Sequence, residues 1–155
     1  GLLLIAKSLE AARDLTRMFA EHKIRKTYLA ITEVVPSPDA GEINIILAKH
    51  SDGMIRPAEE GTATHTKYKL NTIIYGKGNQ PNKAEVVLKP TTGFTHQLRV
   101  HMSHIGCPIL GDNRYNQSKR NNAKYPLMLH AFKLDFTYKG KQLHFTAPLP
   151  KYWPK

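Results

Sequence analysis

The stretch "ATHTKYKLNTIIYGKGNQPNKAEVVLK", residues 63–89, constrains the fold more than any other part of this chain. Its first half alternates polar and apolar side chains, the period-two pattern of a strand with one face exposed. "GKGNQPN" is a loop able to reverse the chain, and "KAEVVLK" resumes the strand pattern, so the segment predicts an antiparallel hairpin. Three further segments read as strands: "KTYLAITEVV", which ends at the turn-forming "PSPDAG"; "EINIIL"; and the apolar run at residues 2–6, which has the pattern of a strand buried on both faces. "LMLHAFKLDFTY" and "KQLHFTA", joined across Lys139 and Gly140, predict a closing hairpin.

Two segments carry helical spacing instead. Ser8 is placed to cap a helix from Leu9 to about His22, with Ala11, Ala12, Leu15, Met18 and Phe19 on its apolar face. Thr95 is placed to cap a shorter helix over residues 96–105, which Gly106 and Pro108 stop. "AKHSDGMIRPAEEG" reads as a long polar loop and "YNQSKRNNAKYP" as a mobile one. The order β-α-β-β-β-β-α-β-β predicts an α+β fold with a largely antiparallel sheet and flanking helices. With 155 residues the chain is one domain.

Charge narrows the partners. The chain has 23 Lys and Arg against 12 Asp and Glu, a formal net charge of +11. Such an excess favours a polyanion, nucleic acid before anionic membrane. Cys107 has no second cysteine to pair with, which fits a reducing compartment. The opening apolar run is too short to span a bilayer and lacks the basic flank of a signal peptide. A chain that begins directly in a strand pattern is expected to have its natural start upstream.

The segment "TTGFTHQLRVHMSHIG", residues 91–106, concentrates the chemistry. On a straight helix His96, His101 and His104 spread over about 140°, so they do not converge on one ion, and no HExxH pattern or cysteine pair supports a metal. The expectation is hydrogen-bonding or surface histidines and no metal. Cys107, between a helix stop and a proline, reads as a packed small residue rather than a nucleophile. "GKGNQPNK" lacks the ending and the following helix of a phosphate-binding P-loop. Leu98, Met102 and Ile105 form a buried stripe, and Arg99 borders it. Its guanidinium either reaches a partly dry cleft and needs an anion there, or snorkels to water. Lys26 and Tyr28 share one strand face, as a stacked base with a neighbouring phosphate would need, and as an ordinary sheet surface also shows.

Taken in order, "GLLLIAKSLEAARDL", "RKTYLAI", "TGFTHQLRVHMSHIGCPILGDNRY", "LMLHAFKLDF" and "FTAPLP" resemble the RluA family of RNA pseudouridine synthases, from Gly1 to about Pro150. The resemblance implies a mixed sheet domain that isomerises uridines in structured RNA, rRNA or tRNA, with no metal or organic cofactor and no membrane partner. The target base leaves its stack first. By position, Tyr28 would stack on the extruded base and help the proton leave C5. Arg99 would pair with the catalytic aspartate, and Leu129 would form part of an apolar floor. Lys26, His96, Gln97 and Arg114 are the candidates for phosphate or loop contacts.

Two departures from the family pattern stand out. Phe94 occupies a position where the family usually has arginine. The family's nucleophilic aspartate lies in a His-Arg-Leu-Asp segment just before the strand that opens this chain. Asp14, Asp39, Asp52, Asp112 and Asp135 all lie in other contexts. The expectation is therefore a later part of a catalytic domain whose nucleophile precedes Gly1, inactive in isolation, with Arg99 waiting for that upstream carboxylate. The compartment implied is the cytoplasm, or the mitochondrial matrix if "VPSPDAGEINI" marks an organellar member. A different class is a catalytically silent RNA-binding or ribosome-assembly protein with the same fold. A DNA-binding domain fits less well, because the short helix is too apolar and too poor in arginine to read a groove.

Overall fold

The computed structural model describes residues 1–116 and 125–154. Ser8 starts the first helix as expected: its hydroxyl accepts from the Ala11 amide at 3.1 Å, and helix α1 runs Leu9–Ala20. It ends two residues earlier than its apolar spacing predicts, because His22 takes a positive φ of 56° and turns the chain into a strand. Strands β1 (Arg25–Thr32), β2 (Ala40–Lys49), β3 (Ile55–Pro57), β4 (Thr62–Ile74) and β5 (Lys83–Pro90) follow. Then come helix α2 (Gln97–His104), β6 (Leu129–Tyr138) and β7 (Lys141–Thr146). The seven strands form one sheet in the order β3-β2-β4-β5-β1-β6-β7. Every ladder among the described residues is antiparallel.

The two predicted hairpins are present. β4 and β5 pair from Thr66 with Pro90 to Ile74 with Lys83. β6 and β7 turn on Lys139 and Gly140, with φ of 47° and 79°, the double positive φ that a tight hairpin turn demands. Two expectations fail. The polar loop after β2 contains the short strand β3, because Ile55 is buried against Leu47 at the sheet edge. Residues 2–6 are not a ladder strand. The Leu2 amide donates to the Ala131 carbonyl at 2.8 Å, but Leu3 and Ile5 stay 81% and 71% exposed. Only one side of that run meets a described element, so a pattern suited to two buried faces is half used. The expected mobile loop falls largely on residues 117–124, outside the described residues.

Helix α2 lies against the sheet and is more deeply buried than its apolar stripe implies. Leu98 and Met102 join Val86, Leu88, Ile31 and Met128 in the main core. On another side, Val100 packs with Leu47, Ile55 and Tyr115. His101 is fully buried, and its Nε2 lies 2.8 Å from the Thr64 hydroxyl. Burial, with smaller effects of His104 and His65, pushes its pKa down to about 4. The unfolded chain therefore takes up this proton first, near pH 6.5. Stability supplied by neutral His101 is complete above that pH and declines as pH falls toward 4, by about 3 kcal/mol in all. Urea unfolding at pH 7 and pH 4.5 is expected to show this loss in the wild type and a smaller one in His101→Gln.

Candidate active site

The cleft forms where β1, the end of β5 and the start of α2 meet. Strand alternation sends Lys26 and Tyr28 to the same side, and Phe132 is the extra β6 residue that lets the ladder shift register beside them. After Pro90 the chain leaves the sheet, passes Thr92, Gly93 and Phe94, and enters α2 through His96. That residue, not Thr95, holds the cap position, with φ 55° and no capping side chain. The resulting cavity is about 330 Å³, within the range of small-ligand pockets, and Leu127 and Leu129 close it from the β6 side.

Thr92 and Gln97 hold this loop in place. The Gln97 carboxamide oxygen accepts from the Phe94 amide at 3.1 Å and the Thr92 hydroxyl at 2.9 Å. Its nitrogen donates to the His65 carbonyl and the Thr66 hydroxyl, both at 3.0 Å. Gln97 lines the cleft, but its polar group is spent on the protein and braces the loop. Lys26 Nζ donates to the Thr92 carbonyl at 2.8 Å, and burial pulls its pKa below the usual lysine value. Burial raises the Tyr28 phenol, so the ring presents a protonated hydroxyl rather than a phenolate.

Arg99 has a carboxylate partner among the described residues, Asp112, which the sequence reading did not assign to it. Its Nε donates to Asp112 Oδ2 at 2.8 Å and its Nη2 to Oδ1 at 2.6 Å, a bidentate pair. The same carboxylate accepts from the Arg114 and Tyr115 amides at 2.9 and 3.0 Å. Burial pushes the Asp112 carboxyl up, but the bonds from Arg99, Tyr115 and Arg114 outweigh it and hold the pKa below its ordinary value. With its side chain 1% exposed, Asp112 is a structural anchor and not an available nucleophile.

Tyr115 organises the other side of Arg99. The guanidinium carbon sits 5.0 Å from the ring centre, and His96 meets the ring edge-on with Nδ1 2.8 Å from the hydroxyl. Burial, then the charges of Arg99 and Arg114, lower the His96 pKa, so it is a neutral hydrogen-bonding group near pH 7 rather than a cation for phosphate. Arg114 stacks on the same ring at 6.0 Å and donates to the Gly53 carbonyl at 3.3 Å. It is not brought into the cleft. His104 is exposed, so the three histidines of this segment serve different surroundings.

The structure therefore brings together Lys26, Tyr28, His96, Gln97, Arg99 and Leu129. Asp112 and Tyr115 were missed as site residues. The available signal for Asp112 was its place in "GDNRY", where an aspartate can accept from amides two and three residues on and close a turn. Gly111 makes that turn possible. Its φ is 76°, and a Cβ there would run into the Pro126 carbonyl. Gly111→Ala is expected to cost about 2 kcal/mol or more in a urea unfolding titration.

Among the described residues, no carboxylate lines this cationic cleft. All five aspartates lie among the described residues. Asp14 pairs with Arg17, Asp52 with Arg56, Asp112 with Arg99 and Asp135 with His144. Asp39 sits in the turn before β2.

Comparison with known proteins identifies the family and the fold. The sequence profile of the RNA pseudouridylate synthase family matches residues 1–104. An uncharacterised RNA pseudouridine synthase of Haemophilus influenzae is 37% identical, over 100% of this chain and 67% of its own length. The dual-specificity RNA pseudouridine synthase RluA of Escherichia coli is also 37% identical, over 96% and 68%. The ribosomal large subunit pseudouridine synthase C of Rickettsia bellii is 36% identical, but the chain covers only 51% of it. The solved structure of human RNA pseudouridylate synthase domain containing 1 superposes with a TM-score of 0.81 at 28% identity. That match covers 94% of this chain and 62% of the human one. The chain belongs to the RluA-type RNA pseudouridine synthase family, and it spans between about half and two thirds of the length of these relatives.

Proposed function

We propose that the protein carrying this chain is an RNA pseudouridine synthase. The observation that carries this reading is the cleft itself: a protonated tyrosine, a half-buried lysine, an apolar floor and a fixed arginine. An extruded uracil stacks on Tyr28 over Leu127 and Leu129, while Lys26 meets the phosphate that the flipped nucleotide carries in. The attacking aspartate comes from a segment outside these 155 residues. Arg99 has its Nε and Nη2 committed to Asp112, and its Nη1 donors serve that second carboxylate, keeping it ionised. The aspartate bonds C1′ as the C1′–N1 bond breaks, the base turns, and the C1′–C5 bond forms as the aspartate leaves. N1 takes up a proton from water, and the C5 proton passes through the Tyr28 hydroxyl, which gives its own proton to water.

The substrates are structured rRNA or tRNA in this reading. A silent RNA-binding protein shares the cleft and differs only in lacking the nucleophile. Incubating the full-length protein with RNA labelled with tritium at uridine C5 separates the two. Tritium release with pseudouridine at defined positions supports the enzyme, and tight binding without release supports the binder.

A further inference from the structure

Beyond the cleft, one end of the sheet carries cations that the reaction does not use. The β4–β5 ladder sets Lys67 directly opposite Lys89. Like charges facing each other across a ladder oppose folding unless an anion lies between them. Arg25, the first residue of β1, and His22 line the same hollow, a cavity of about 420 Å³. Among the described residues its one lining carboxylate is Asp135, which stands opposite Arg25 in the β1–β6 ladder and bonds His144 at 2.6 Å. Lys67 is shared with Glu42 at 2.9 Å. Among the described residues, neither Arg25 nor Lys89 has a carboxylate within ion-pair distance.

The hollow adjoins the candidate active site around the end of the sheet: Lys26 and Pro90 line both cavities, while the strand register turns Arg25 and Lys89 to the face opposite Lys26. A chain leaving the cleft at Lys26 passes the end of the sheet and meets Arg25, Lys89 and Lys67 on three neighbouring strands. We infer that this hollow is a second phosphate-binding site, which takes the RNA backbone flanking the nucleotide held in the cleft. The inference rests on the proposed function for the identity of the polyanion. A concave groove with cations one strand apart suits a single line of phosphates, whereas a flat anionic bilayer cannot enter it.

The test is the Arg25→Gln, Lys89→Gln double variant of the full-length protein, compared with Lys77→Gln, Lys141→Gln, which removes the same charge elsewhere. Binding of a fluorescein-labelled RNA hairpin with a uridine-rich loop is followed by anisotropy between 50 and 200 mM salt. Losing two phosphate contacts lowers the slope of log affinity against log salt by about 1.4 to 1.8, equivalent to roughly tenfold less weakening over that range. The control pair is expected to change the slope by less than half as much. The trinucleotide UpUpU, too short to occupy both cavities, should bind wild type and double variant alike. Equal slopes for the two double variants overturn the inference. So does a double variant that loses binding to phosphatidylglycerol vesicles while its hairpin slope is unchanged. The readout is binding, so the two readings fail separately. A protein with the expected slope change and no turnover keeps this site and loses the proposed activity; turnover with unchanged slopes does the reverse.

Discussion

Asp112→Ala is expected to lower the melting temperature of the protein by on the order of 10 °C, the largest stability effect of any single substitution in this site. The reason is asymmetric. Removing the carboxylate leaves the Arg99 guanidinium, only 13% exposed, without its anion, and it strands the Arg114 and Tyr115 amides that the same oxygen satisfies. Breaking a buried pair on one side costs about 3 kcal/mol or more, while removing both partners costs less. The Arg99→Met, Asp112→Ala double variant should therefore melt closer to wild type than the single-variant losses added together. Asp112→Asn adds a pH signature. The folded Asp112 carboxyl lies below its ordinary value, so the stability it contributes is complete above about pH 4 and disappears as pH falls through the folded pKa. Wild type should show that acid limb in pH-dependent melting, and Asp112→Asn should lack it.

Tyr28→Phe is expected to reduce turnover on RNA about 100-fold or more while leaving RNA affinity within a few-fold of wild type. The phenylalanine keeps the ring that stacks on the base and deletes the hydroxyl that relays the proton. Tyr28→Ala deletes both, and its affinity should fall by a further tenfold or so, since base stacking on an aromatic ring contributes about 1–3 kcal/mol. Single-turnover rates against RNA concentration separate the two effects. Because burial already raises the Tyr28 phenol, its loss should not shift the acid limb of the pH–rate profile.

Much of this arrangement was legible in the residues themselves. The alternation of residues 63–75 and the caps at Ser8 and Gly106 are local, and they placed the central hairpin and both helices. Lys26 and Tyr28 reach the cleft because strand period alone puts them on one side. Features that depend on distant neighbours were not legible. Arg99 meets Asp112 only because α2 and the turn at Gly111 converge, and neither segment announces the other. His101 is buried because the sheet covers a helix side that carries no apolar stripe. The family resemblance made Gln97 a candidate for phosphate or loop contacts, yet four hydrogen bonds to the Thr66, His65, Thr92 and Phe94 region consume it. Residues 2–6 show the converse: an apolar run permits burial on two faces but does not supply the neighbours that cover them.

The central claim is that the cleft of Lys26, Tyr28, Arg99 and Leu129 processes uridines in RNA with a carboxylate supplied from outside these 155 residues. Nucleotide-resolution pseudouridine mapping of cellular rRNA and tRNA tests it most directly, after treatment with the full-length protein or with the 155-residue chain. The account predicts pseudouridine at defined sites with the full-length protein and none with the 155-residue chain. Conversion by the 155-residue chain, or no conversion of any RNA by the full-length protein, would contradict it.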